Sequence, residues 1–208
     1  MTSQVLEVSK CLTEVLNVSS AREELLNQVL SYQGCLELKS ELEKLSSAAL
    51  SEILVTGLPL KRNTLESWLS RKTFSLIPLP NMYFMRDTSM VIGNRVVSSR
   101  MASSVRFTES LIMRTIYEFH PDLKGCGLLL DACENRNDSR FTIEGGDVLI
   151  INENLLLIGI SERTTPKAID SFIDAMVKAR QEEENSLPFH VLCVVLPAER
   201  NTIHLDMI

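Results

Sequence analysis

Leu79-Pro80-Asn81-Met82-Tyr83-Phe84-Met85-Arg86-Asp87 decides how the C-terminal part of this chain is read. Pro80 fixes φ and has no N–H, so it suits the entry to a strand rather than its interior. The alternation after it predicts a strand over 83–87 that brings Asp87 to the mouth of a buried sheet. A carboxylate so close to a core costs several kcal/mol unless a cation meets it. Two readings follow: a structural Arg86–Asp87 pair at a strand end, or the acid of a binding site.

Downstream, Met90-Val91-Ile92 and Arg95-Val96-Val97 flank Gly93-Asn94, the signature of a hairpin. Residues 107–119 form a helix with Leu111, Ile112, Ile116 and Phe119 on one face, ended by His120-Pro121. Gly127–Leu130 is expected as a short buried strand, and Glu134–Ser139 as a polar loop. A second hairpin pairs Val148–Ile151 with Leu155–Ile160 across Asn152-Glu153-Asn154. Thr165-Pro166 caps the next helix, with proline in its first position. Its buried stripe is Ile169, Phe172, Ile173 and Met176, and Gln181–Asn185 is a solvated end. His190–Leu196 is a further strand, closed by Pro197. A ββαβ order thus occurs over 83–130 and again over 148–196. Such repetition implies stacked units, each too small to bury its own face.

Upstream of Thr73 the chain reads as helices. Ser20-Ala21-Arg22-Glu23 is a capping-box pattern ahead of Leu25, Val29 and Leu30, with Gly34 as the stop. A second helix runs through Leu38, Leu42 and Leu45, and a third through Leu50, Ile53 and Leu54 to Gly57. A short one carries Leu65, Trp68 and Leu69. These stripes are read as core, and Lys61-Arg62 and Arg71-Lys72 as solvated charges.

The 208 residues, 45% hydrophobic and 23% charged, allow one or two domains with a real core. A net charge of −6 argues against nucleic acid or an anionic membrane surface as partner. No basic start precedes an apolar stretch, so no secretory signal is read, and Val148–Ile160 is broken by its Asn-Glu-Asn turn, so it is no membrane span. Five cysteines without CxxC or Cys/His spacing point to a reduced, cytoplasmic chain. Cys193 is expected inside an apolar strand, where a thiolate is disfavoured; this leaves Cys133, in a loop, as the exposed thiol. No phosphate loop or nucleotide fingerprint is present, so no cofactor is expected.

Three further stretches carry chemistry: Ile143-Glu144-Gly145-Gly146-Asp147, Gly159-Ile160-Ser161-Glu162-Arg163-Thr164 and Ile203-His204-Leu205-Asp206. A guanidinium is flat, permanently charged and forks its donors, so carboxylates from different strands can hold it from opposite sides. Asp87 and Asp206, each near a strand end, are the natural pair. Glu144 and His204 sit where proton transfer could be served. Gly145 and Gly146 allow close backbone approach or positive φ. The acids and the histidine suit an organic cation, and no metal is implied.

In their order and spacing the four stretches resemble arginine deiminase, over about Pro78 to the last residue. The resemblance implies an α/β fold, a five-unit propeller of ββαβ units around a polar channel with a helical insertion. On that basis residues 1–72 are a helical domain. Residues 73–208 are a propeller portion of two units and the start of a third, so the chain would begin inside the insertion. The implied activity converts L-arginine to L-citrulline and ammonia through a cysteine thiolate. Asp87 and Asp206 would grip the guanidinium, and His204 and Glu144 would move protons. Asp147 would support them from behind, Arg163 would meet the α-carboxylate, and Asn81 and Phe84 would line the pocket. Arg106 aligns with a second carboxylate-binding arginine and Glu109 with a nearby acid.

The chain departs from the pattern at Ala102-Ser103-Ser104, where an aromatic-proline stretch is expected, and at Phe107 and Thr88, where arginine and proline are usual. Arg163 argues against agmatine, which has no carboxylate. The family's nucleophilic cysteine lies well beyond Asp206, so these residues are expected to be inactive alone. The alternative is an inactive, arginine-binding or assembly partner. An incomplete propeller exposes apolar edges, which invites a second copy or a complementing chain.

Overall fold

The computed structural model describes residues 5–135, 138, 140–184 and 187–208. It has two compact units, one of Met1–Met82 with Thr115–Gly125 and the other of Tyr83–Arg114 with Cys126–Ile208. The loop and helix end expected over 134–139 and 181–185 lie partly outside the described residues.

The first unit is mainly helical. It contains α1 (Val8–Val15), α2 (Ser19–Gln33), α3 (Lys39–Leu42), α4 (Ser47–Thr56) and α5 (Leu65–Leu69), with two short antiparallel strands, β1 (Leu58–Pro59) and β2 (Phe74–Leu76). Helix α2 ends at Gly34, where a φ of 68° is the left-handed cap that glycine supplies. Its start differs from expectation: Val18 is the N-cap and makes no side-chain cap, so Ser20 lies inside the first turn. The expected helix through Leu45 is only a 3-10 turn, Leu36–Leu38, followed by α3, with Leu42 its buried residue. In α5 the apolar residues are not core: Leu65 is 76% exposed, Trp68 66% and Leu69 76%. Helical spacing marks a shared face, but a five-residue helix has too little surface to dictate what covers that face. Arg62 is no free charge either. Its guanidinium donates to the carbonyls of Ser67, Trp68, Ser70 and Lys72, satisfying the end of α5.

The second unit holds two three-stranded sheets, in the orders β3-β4-β5 and β6-β7-β8. Strands β3 (Ser89–Ile92) and β4 (Arg95–Ser98) form the expected hairpin around Gly93, whose φ is 62°. α7 (Phe107–Phe119) follows, and β5 (Gly127–Asp131) then lies parallel to β4. The order repeats. Strands β6 (Val148–Asn152) and β7 (Leu155–Ile160) are antiparallel, α8 (Pro166–Glu182) follows, and β8 (His190–Val195) runs parallel to β7. The fold is therefore α/β with mixed sheets. One core joins the two repeats: Met90, Val97, Ile143, Val148, Leu156, Ile158, Ile169 and Phe172 pack together. Each fully buried side chain of this size contributes about 1.5–3 kcal/mol.

Three details differ from the sequence reading. Gly127 and Leu128 are exposed, because β5 is an edge strand and not a buried one. Thr165 is the N-cap of α8, but its hydroxyl donates to the carbonyls of Arg140 and Thr142 instead of capping the helix. Residues 83–87 do not form a strand. They lead into a single helical turn, α6 (Met85–Thr88), and pairing begins only at Ser89. The Thr88 hydroxyl closes that turn on the Met85 carbonyl. Apolar alternation marks where side chains can be buried, but a strand needs a partner edge, and Tyr83 and Phe84 are exposed.

Candidate functional site

The repeats set four chain segments of the second unit against one another. Asp87 comes from α6, just before β3. Glu144 precedes a 3-10 turn, Gly145–Asp147, that opens β6. Arg163 lies in the turn after β7, closed by Ser161 N–H on the Thr164 carbonyl. His204 is extended and precedes the last 3-10 turn, Leu205–Met207.

Three of the expected residues meet directly. His204 Nε2 lies 3.0 Å from Glu144 Oε2, and His204 Nδ1 lies 3.5 Å from Asp87 Oδ1. Glu144 is fully buried and Asp87 partly so. The other oxygen of Glu144 accepts the Ala102 N–H at 2.8 Å and faces the Arg163 guanidinium at 3.6 Å. Burial by itself pulls the His204 pKa down, but the hydrogen bond to Glu144 and the charges of Glu144, Asp87 and Asp147 outweigh it. The imidazole is therefore held above its ordinary value and favours the cation.

Arg106 sits on the opposite side of Asp87. Its Nη1 donates to Asp87 Oδ2 at 2.7 Å, its Nε to Glu109 Oε2 at 2.8 Å and its Nη2 to the Phe84 carbonyl at 3.2 Å. Burial opposes the charge, yet the paired carboxylates more than offset it and keep the guanidinium firmly protonated. Arg106 is thus already engaged by two carboxylates of its own chain. Arg86 and Asp87, neighbours in sequence, take separate partners: Arg86 donates to the Val148 carbonyl at 2.8 Å and pairs with Asp206 at 3.3 Å. Asp206 is the outermost of the expected acids.

Asp147 is fully buried. Its Oδ2 accepts from Ser161 Oγ at 2.6 Å and its Oδ1 from the Leu205 N–H at 3.0 Å. Burial pushes its pKa up, against the hydrogen bonds from Ser161, Thr164 and Leu205. Gly145 and Gly146 do not use positive φ; the glycines that do, among the described residues, are Gly34, Gly57 and Gly93. Their role is close approach. A Cβ on Gly146 would stand 2.6 Å from His204 Nδ1, and one on Gly145 would run into the Arg86 carbonyl oxygen. Gly159 has the same need, since a Cβ there would stand 2.6 Å from Asp147 Oδ1.

Asp87, Glu144 and His204 each offer one ligand atom within 4.8 Å of the others, so they could also surround a metal ion. Arg106 on Asp87 Oδ2 places a fixed positive charge beside any such ion, which works against it. Phe84 contributes its carbonyl to Arg106, while its ring is exposed against Tyr83 with centroids 4.2 Å apart. Asn81 belongs to the first unit.

A model of the arginine deiminase family matches residues 3–208. The chain belongs to the arginine deiminase family. Similar solved structures include DDAH from Pseudomonas aeruginosa complexed with citrulline, 20% identical with a TM-score of 0.39, covering 60% of this chain and 42% of that one. A dimethylarginine dimethylaminohydrolase adduct with S-methyl-L-thiocitrulline is 21% identical, with a TM-score of 0.39 and coverage of 57% and 40%. An amidinotransferase from Microseira wollei in a saxitoxin biosynthetic pathway is 19% identical, with a TM-score of 0.35 and coverage of 53% and 34%. The arginine deiminase family chain described here spans less than half the length of each.

The expected placement of thiols in this family member is reversed. Cys133 is buried, shares a hydrogen bond with Ser98 Oγ at 3.1 Å and has its pKa pushed up to about 12 by burial. Cys193 is exposed, because β8 is an edge strand. Sequence reasoning also missed Ala102, whose contribution is a backbone N–H that leaves no side-chain signal. It missed the hydroxyls of Ser161 and Thr164 as well. Their signal was present: two hydroxyl residues three apart, in a turn, characteristically bind backbone N–H groups. Among the described residues no helix is long and apolar enough to cross a membrane.

Proposed function

We propose that this cluster is the guanidinium site and proton-transfer pair of an arginine deiminase acting on free L-arginine. The observation that carries the reading is His204 set between Glu144, at 3.0 Å, and Asp87, at 3.5 Å, in a chain of this family. In the reaction a cysteine thiolate adds to the guanidinium carbon. His204 gives a proton to one terminal nitrogen, the C–N bond breaks and ammonia leaves a cationic thiouronium on the sulfur. Neutral His204 then takes a proton from water as its oxygen adds to the same carbon. The C–S bond breaks, the thiolate returns, the hydroxyl proton passes to solvent and L-citrulline departs.

Asp87 and Asp206 hold the substrate guanidinium in this reading. The Arg86–Asp206 contact is half exposed and can yield to an incoming guanidinium. Arg163 takes the α-carboxylate, with Phe84 lining the way in. Arg106, expected to bind that carboxylate as well, is assigned instead to holding Asp87, because its donors already have partners. Glu144 fixes the imidazole and Asp147 supports it. The family resemblance puts the nucleophilic cysteine beyond Asp206, and Cys133, buried with its pKa pushed up to about 12, is unsuited to replace it.

We also assign residues 1–72 to a helical domain and 73–208 to part of a five-unit propeller. The repeat itself supports this. Helix α8 of the second ββαβ unit packs against β5 of the first, whereas β8, its counterpart, leaves Leu192 and Val195 exposed. A further unit would cover them. The same exposed edge supports the second reading, an arginine-binding assembly partner. Citrulline release from L-arginine by the complete gene product tests the first reading. A flat result across pH 5–9 would remove it, and turnover by these residues alone would remove the external thiolate.

A further inference from the structure

Ser161 has no place in the chemistry above, yet the site is organised through it. Its Oγ donates to Asp147 Oδ2 at 2.6 Å and accepts the N–H groups of Arg163 at 2.9 Å and Thr164 at 3.1 Å. The second oxygen of Asp147 accepts the N–H of Leu205, the residue after His204, at 3.0 Å. The Thr164 hydroxyl accepts the Glu144 N–H at 3.1 Å, and the Thr164 N–H returns to Ser161 Oγ. One buried carboxylate therefore links, through short polar contacts, the turn that carries Arg163, the backbone of Glu144 and the segment that carries His204. Gly159 leaves the room this carboxylate needs.

We propose that Ser161 is a positioning residue, which through Asp147 fixes the Arg163 turn and the His204 segment relative to each other. The proposal rests on the reading of Arg163 as the substrate-carboxylate arginine and His204 as the proton carrier. Its physical basis does not depend on turnover. A buried carboxylate that loses a hydroxyl donor is under-satisfied, and it relaxes by turning out of its pocket toward water, which loosens its hold on the remaining donors. The Leu205 N–H is one of them, so a change at Ser161 is felt at residue 205, with which Ser161 makes no hydrogen bond.

Amide hydrogen exchange and 1H–15N spectra of this chain, compared for wild type, Ser161→Ala and Ser161→Thr, provide the test. In Ser161→Ala the Leu205 amide should exchange about tenfold faster or more, alongside those of Arg163 and Thr164, as one lost buried hydrogen bond implies. Ser161→Thr keeps the hydroxyl and should restore Leu205 protection. If Leu205 is unmoved while Arg163 and Thr164 change, the link stops at Ser161 and the proposal falls. It falls equally if protection drops uniformly across β6 and β7. Should the alanine variant not fold, Ser161→Cys, close in size and a weaker hydrogen bonder, is judged by the same outcomes. In the complete gene product, Ser161→Ala should raise KM and lower kcat together, whereas Arg163→Lys should act mainly on KM. Absence of any citrulline in wild type would defeat the proposed activity, and the Leu205 measurement would still decide the role of Ser161.

Discussion

Asp87 stands between two cationic groups: one oxygen accepts Arg106 Nη1 at 2.7 Å, and the other lies 3.5 Å from His204 Nδ1. Arg106 in turn reaches Glu109, which is fully buried. Removing one member of a buried ionic group strands the others, at about 3–5 kcal/mol. Arg106→Met should therefore destabilise the chain by about that much in chemical denaturation. Adding Glu109→Gln to it should return part of the loss, because a stranded carboxylate becomes neutral. A change below about 0.5 kcal/mol, the level of an ordinary surface substitution, would show that the pair is dispensable.

The His204 pKa is raised, and this fixes a direction for stability against pH. A folded value above the unfolded 6.5 means that the stabilisation is fully present below 6.5 and is lost as pH rises through the folded value. The groups responsible are Glu144, Asp87 and Asp147. NMR titration of the imidazole should give a midpoint above 6.5, and Glu144→Gln should move it down, since burial is then opposed by fewer charges. A midpoint unchanged in that variant would break the link between the two residues.

Much of this was legible from sequence, and the failures share a cause. The hairpin at Gly93-Asn94, helix 107–119 and the second ββαβ unit follow from turn chemistry and periodicity, both local properties. What failed depended on which surface is covered: Leu65, Trp68 and Leu69 have core spacing but lie exposed, and Cys133 and Cys193 exchanged environments. Covering is decided by distant segments. The candidate site acids could be named because their four motifs, in order and spacing, resemble those of the arginine deiminase family. Arg106 could be named too, but not its partners, since the alignment of a cation says nothing about which carboxylates reach it first.

Gly146 has a use that periodicity cannot express. An alanine there would place Cβ 2.6 Å from His204 Nδ1 and 3.0 Å from its Cβ, so the ring as a whole must move. Gly146→Ala should cost about 1–3 kcal/mol as an overpacked site and shift the His204 ring signals. An unperturbed imidazole spectrum would mean that the backbone yields instead.

Thiol reactivity separates the buried cysteine from the exposed one. Cys193 is exposed, whereas Cys133 is buried with its pKa pushed up to about 12. Native-state alkylation at pH 8 followed by peptide mass mapping should label Cys193 early and Cys133 last. Equal labelling would place the 98–133 contact in an opened state under these conditions.

β8 offers the sharpest separation between a finished edge and one awaiting a neighbour. Leu192 is 54% exposed and Val195 76%, on the strand whose counterpart β5 is packed by a helix. Leu192→Lys in the chain alone replaces an already wet side chain and should change stability by no more than about 0.5 kcal/mol. In the complete gene product, if a further unit covers β8, the same lysine is buried without a partner and should cost about 2 kcal/mol or more. Parallel denaturation of the two proteins measures the difference. Small, equal effects in both would mean that no unit packs there, and the propeller assignment would lose its support from the repeat.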